Sequence, residues 1–139
     1  MAVDRKTERL AQLTTFAGVS RRALRRLAML ADEVDVAEGA HLSEQGGTAA
    51  EAFIVMEGTV AVERDGDEVA RNGPGAVVGE VALIDHSVRN ATLVARTPVH
   101  LLVFGVREFE ALLEEFPELA QRIREDAAHR RGTGAGATT

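Results

Sequence analysis

From Glu33 to Phe104 the chain is cut every few residues by a glycine-bearing turn signal, and this cadence restricts the fold more than any other feature. The cuts fall at Gly39, Gly46-Gly47, Gly58, Asp65-Gly66, Asn72-Gly73-Pro74-Gly75 and Gly79. Between them run short apolar or alternating segments: Glu33–Val36, Ala52–Met56, Thr59–Glu63, Glu68–Arg71, Ala91–Ala95 and Val99–Phe104. Short strands separated by tight turns at this spacing build antiparallel sandwiches and barrels. Asp65-Gly66, set between Val60-Ala61-Val62 and Val69-Ala70, carries the strongest hairpin signal and predicts an exposed tip. The expected class is mainly β with flanking helices, a jelly-roll or double-stranded β-helix barrel.

The flanks have a helical period. Asp4–Leu13 reads as a first helix, and Ser20 as the N-cap of a second that places Leu24, Leu27, Ala28 and Ala31 on one face. The arginines at 21, 22, 25 and 26 read as a solvated face. After Phe104, the spacing of Val106, Phe109, Leu112, Leu113 and Phe116 predicts a helix that Pro117 stops. Pro117 also opens another, with Leu119, Ala120 and Ile123 on its apolar side and Glu118 and Arg122 spaced as an ion pair, ending near Arg130. The partition is N-terminal helices 1–31, barrel 32–104, C-terminal helices 105–130 and a disordered tail 131–139, with 1–130 as one domain.

Composition narrows the function classes. The 139 residues suit one domain, and no apolar run approaches the roughly 18 to 20 residues of a membrane span. Residues 1–9 mix charges without the apolar core of a secretion signal, so a cytoplasmic location is expected. The absence of cysteine excludes disulfides, thiolate catalysis and thiolate metal sites. A net charge of −6 argues against a nucleic-acid partner, which requires a basic face. His41, His86, His100 and His129 are scattered, and none has metal-binding spacing, which argues against a cupin-like metalloenzyme. No nucleophile–base or paired-carboxylate arrangement stands at readable spacing, so neither a catalytic residue, a metal nor a cofactor is expected.

Strand alternation lapses in 79–92, where Gly79-Glu80-Val81-Ala82-Leu83 is followed by Arg89 nine residues after the glutamate. A glycine permits close backbone approach, turn amides can cradle a phosphate, and a guanidinium can neutralise it while a carboxylate accepts from a hydroxyl. Glu and Arg at such spacing also form ordinary ion pairs, and the residues alone leave both readings open.

The stretch resembles the phosphate-binding cassette of the cyclic nucleotide-binding family, Phe-Gly-Glu-Leu-Ala-Leu followed by Pro-Arg-Ala-Ala. Here it reads Val78-Gly79-Glu80-Val81-Ala82-Leu83 and Val88-Arg89-Asn90-Ala91, within a cassette spanning 78–92. The likeness extends to Gly39–Gly46 with its Gln45-Gly46, to Phe53-Ile54-Val55-Met56-Glu57-Gly58, and to Phe109–Pro117. It resembles the domains of kinase regulatory subunits, whose glutamate-to-arginine spacing it shares, and of catabolite activator protein, though without that branch's DNA-binding helices.

The resemblance implies a nucleotide between barrel and cassette: cAMP, with cGMP as the other candidate. Glu80 would accept from the ribose 2′-hydroxyl and Arg89 would pair with the phosphate. Gly79, Ala82, Asn90 and Ala91 would give backbone contacts, and Val81 would pack near sugar or base. Leu83 would couple the cassette to the C-terminal helices, although plain core packing explains it equally. Val78 and Val88 depart mildly from the family pattern, whereas Asn90 leaves base preference open. The expected role is a ligand sensor or regulatory module, monomeric or weakly dimeric, acting on an effector protein. The alternative is a degenerate domain that binds a protein and no nucleotide.

Overall fold

The computed structural model describes residues 2–48, 50–79 and 89–132, except for the side chains of 127–132. In chain order, α1 (Ala2–Ala11), a 3₁₀ turn (Thr14–Phe16) and α2 (Arg21–Leu30) precede the strands. The strands are β1 (Asp32–Val36), β2 (His41–Ser43), β3 (Glu51–Glu57), β4 (Val60–Arg64), β5 (Asp67–Asn72), β6 (Val77–Val78), β7 (Thr92–Ala95) and β8 (Val99–Gly105). Helices α3 (Val106–Glu115) and α4 (Pro117–Gly132) follow. Helix α4 runs two residues beyond the expected end near Arg130, so 131–132 are helix and not tail; residues 133–139 lie outside the described residues.

Two antiparallel four-stranded sheets form, ordered β1-β8-β3-β6 and β2-β7-β4-β5. Among the described residues they pair as two sheets and not as one closed ring. The six expected strands are present within one residue at each end, and β2 and β6 are additions. Residues 65–66 form the two-residue loop between β4 and β5, exposed, with φ of 55° at Asp65 and 87° at Gly66. Two left-handed positions in succession give the twist that matches a tight hairpin.

Strand β3 explains how the layers stack, because its five central residues are buried on both faces. Phe53 and Val55 turn inward to meet Val60, Val62, Leu93 and Leu101 between the sheets. Ala52, Ile54 and Met56 turn outward, with Leu102 and Phe104 of β8, into a second core closed by Leu10, Phe16, Leu24, Leu27, Phe109, Leu112, Leu119 and Ile123 of the helices. A strand covered on both sides reads as a continuous apolar run, not an alternation. Gly58, at the β3–β4 turn, has a φ of +92°, and a Cβ there would stand 2.3 Å from the Pro98 carbonyl, so no side chain fits.

Polar ties fasten the helical layer. Ser20 Oγ caps α2 by accepting from the Ala23 amide at 3.2 Å, and Lys6 donates to the Ala31 carbonyl at the other end of α2. The arginines of α2 are not simply solvated. Arg21 pairs with Glu8, Arg25 with Asp4 and Arg26 with Glu115, while Arg22 lies 5.5 Å from the Phe116 ring centroid. The expected Glu118–Arg122 pair gives way to other partners: Ser20 Oγ donates to Glu118, and Arg122 donates to the carbonyls of Thr14 (3.0 Å) and Thr15 (2.9 Å) and to Glu125. Among the described residues no helix is long and apolar enough to cross a membrane.

Candidate functional site

Strand β6 pairs with β3 through Phe53–Val78 and Ile54–Val77, delivering the chain to Gly79 beside the start of β3. Gly79 holds a φ of +84°, and a Cβ on it would meet Arg89 Nη1 at 2.5 Å, Arg89 Cζ at 3.2 Å and the Glu51 carbonyl at 3.3 Å. The glycine is therefore required twice, by its left-handed backbone and by the guanidinium lying directly on it.

Arg89 is 2% exposed. Its Nη1 donates to the Gly79 carbonyl at 2.5 Å, its Nη2 donates to the Glu51 carbonyl, and its Cζ lies 6.0 Å from the Phe53 ring centroid. A buried cation is costly unless its donors find acceptors, and these two carbonyls supply acceptors. The main chain of Arg89 is gripped as well: the Gly46 amide donates to its carbonyl at 2.7 Å, and its own amide donates to the Gly47 carbonyl at 2.9 Å. Asn90 is exposed, its carbonyl accepting from Arg64 Nε at 3.1 Å, and Ala91 is fully buried in the inter-sheet core.

Of the sequence-predicted site residues, Gly79 and Arg89 are thus in direct contact, with Asn90 and Ala91 leading from them into β7. Glu80, Val81, Ala82 and Leu83 lie outside the described residues, as do Asp85 and His86. Sequence reasoning missed the Glu51 carbonyl and the Phe53 ring. Phe53 belonged to a quoted family strand, but nothing in the sequence ties it to Arg89. A cleft of about 370 Å³ lies elsewhere, between the 3₁₀ turn and α4, lined by Thr14, Thr15, Arg122, Glu125 and Asp126. It contains neither Gly79 nor Arg89 and is not the cassette.

His100, on β8, is 14% exposed at its side chain, with Nδ1 2.7 Å from Asp35 Oδ1. Among the described residues no group of three or more His, Asp or Glu is placed to hold a metal.

The family model for the cyclic nucleotide-binding domain matches residues 33–116. The chain belongs to the cyclic nucleotide-binding domain family. It is 38% identical over 102 residues to a cyclic nucleotide-gated potassium channel of Mesorhizobium japonicum, covering 73% of this chain and 28% of the channel. Among solved structures, a mutant cAMP-binding acyltransferase from Mycobacterium smegmatis superposes with a TM-score of 0.78 at 27% identity, over 95% of this chain and 42% of that one. The regulatory subunit of a cAMP-independent protein kinase A from Trypanosoma brucei superposes at 0.74 with 25% identity, over 88% and 48%. The chain therefore spans less than half the length of each of these proteins.

Proposed function

We propose that this chain binds cAMP in the cassette and serves as the ligand-sensing module of a regulatory system, with no catalysis of its own. The observation that carries the reading is the Arg89 guanidinium, buried and lying directly on the Gly79 backbone at the start of the cassette. A cyclic phosphate is a strong, charged acceptor for a guanidinium, which meets it with two parallel donors. Glu80 accepts from the ribose 2′-hydroxyl, the backbone of Gly79, Ala82, Asn90 and Ala91 contacts phosphate and sugar, Val81 packs on the nucleoside, and Leu83 passes the movement to α3 and α4. The effector is a protein, and the chain acts as a monomer or weak dimer.

Calorimetric titration with cAMP and cGMP side by side tests this. Arg89→Ala weakens affinity by at least about a hundredfold, since it removes charge-assisted hydrogen bonds and leaves a desolvated phosphate uncompensated. Arg89→Lys recovers only part, lacking the two-pronged donor. Because Arg89 also holds backbone carbonyls, Glu80→Ala supplies an independent arm: it weakens cAMP but leaves a 2′-deoxy analogue unaffected. Failure of both nucleotides to bind at millimolar concentration favours the second reading, a partner-binding domain without nucleotide. The likeness to the regulatory subunit of a cAMP-independent protein kinase A favours, within this fold, a module that does not depend on cAMP.

A further inference from the structure

We propose that Gln45 is a positioning residue for Arg89, setting the main chain from which the phosphate-binding guanidinium projects; the consequence for nucleotide affinity rests on the assignment of Arg89 above. Arg89 belongs to neither β6 nor β7, so the ladders of those two strands do not fix its peptide units. The loop after β2 fixes them instead, through the amide of Gly46 and the carbonyl of Gly47. That loop itself needs an anchor, and Gln45 is built to supply one.

Its carboxamide reads residue 65 with both ends: Oε1 accepts from the Asp65 amide at 2.8 Å, and Nε2 donates to Asp65 Oδ1 at 2.9 Å. Its own amide donates to Thr92 Oγ1 on β7 at 2.9 Å. Asp65 sits in the left-handed region at φ 55°, where a tight hairpin points its amide away from the β4–β5 ladder and toward this acceptor. The neighbouring Arg64 reaches the Asn90 carbonyl. Segments 45–47, 64–65 and 89–92 are thereby closed into one ring, and Gln45 joins its hairpin, loop and strand members. All three Gln45 bonds are exposed, so they add little global stability; their effect is to hold a ligand group in place before the ligand arrives.

The test uses the intact chain. Gln45→Ala speeds hydrogen exchange at the Arg89 and Gly46 amides of the ligand-free protein about tenfold, leaves the β3 and β8 amides unchanged, and weakens cAMP binding about tenfold, the loss expected for one or two net hydrogen bonds. Gln45→Glu sets a carboxylate against that of Asp65 and does at least as much harm. Combining Gln45→Glu with Asp65→Asn restores slow exchange and affinity, because the asparagine amide now donates where the aspartate accepted, and asparagine tolerates the left-handed backbone. Unchanged exchange at Arg89 in Gln45→Ala, unchanged affinity in a parent that binds, or a double variant that folds but is not rescued overturns the inference. If the parent binds neither nucleotide, the phosphate assignment fails by itself, and the exchange and rescue arms still decide whether Gln45 positions Arg89.

Discussion

Substituting alanine at Gly79 isolates the contact on which the site is built. The new methyl would start 2.5 Å from Arg89 Nη1 and 3.2 Å from Cζ, so the guanidinium has to leave. Two costs follow. Holding alanine at φ +84° costs about 1 kcal/mol. Displacing the guanidinium from the Gly79 and Glu51 carbonyls forfeits charged hydrogen bonds, about 1.5 to 3 kcal/mol. The expected loss is about 3 kcal/mol, read as a lower urea midpoint with an unchanged slope. A double-mutant cycle separates the two parts: in an Arg89→Ala background the displacement cost disappears and Gly79→Ala costs only about 1 kcal/mol. Equal costs in both backgrounds, or a loss below about 0.5 kcal/mol in the parent, would refute the reasoning that Arg89 lies on this glycine. The cycle needs no nucleotide, so it tests the architecture apart from the function.

Two further outcomes are expected. Arg122→Ala removes the guanidinium that donates to the Thr14 and Thr15 carbonyls, costing about 1 to 2 kcal/mol locally, so hydrogen exchange should rise in 117–126 and not in β3 or β8; unchanged protection there would show that the clamp does not hold α4. The hydrogen bond from Arg25 holds the Asp4 carboxyl below its ordinary 3.8, and those from Arg71 and Arg96 hold Glu68 below 4.5. A depressed folded-state pKa confers stability that is present above the ordinary value and lost as pH falls through the depressed one. The urea midpoint difference between parent and Asp4→Asn should therefore be small but present at pH 7, begin to shrink only as pH falls below 3.8 and vanish below the depressed value, and a difference that grows on acidification would contradict it.

Most of the fold was legible because its determinants are local. Glycine at a left-handed turn, an Asp-Gly pair and a strand-length apolar run each act over a few residues, and six strands could be placed from them. β2 and β6 escaped because three residues and two residues carry no period. The α2 arginines lie at the surface as expected, but their partners escaped for the opposite reason: Asp4 stands 21 residues from Arg25, and Glu115 stands 89 residues from Arg26, so only the packing of α1, α2 and α3 reveals the pairs. Glu118 and Arg122 had the right spacing for each other, yet α4 packs against the 3₁₀ turn. There two carbonyls and Glu125 together engage the guanidinium, while Glu118 accepts from Ser20 Oγ.

The site divides along the same line. Gly79 and Arg89 were legible because glycine and arginine are chosen by side chain, one for lacking it and one for its charge. The acceptors seen on Arg89 among the described residues are main-chain carbonyls of Gly79 and Glu51, and a carbonyl is present at every residue, so no substitution pattern marks the ones in use. The same applies to the Gly46 and Gly47 peptide groups that grip its backbone. The arginine's position is thus written mostly in backbone geometry, which side chains control at one remove: by the missing Cβ at Gly79, which opens the space, and by the carboxamide of Gln45, which ties the gripping loop to the β4–β5 hairpin. A motif that names only the glutamate and the arginine therefore specifies the groups that meet a ligand, while the orientation of the arginine depends on residues more than thirty positions away in the chain, joined to it by the pairing of β3 with β6 and of β2 and β4 with β7.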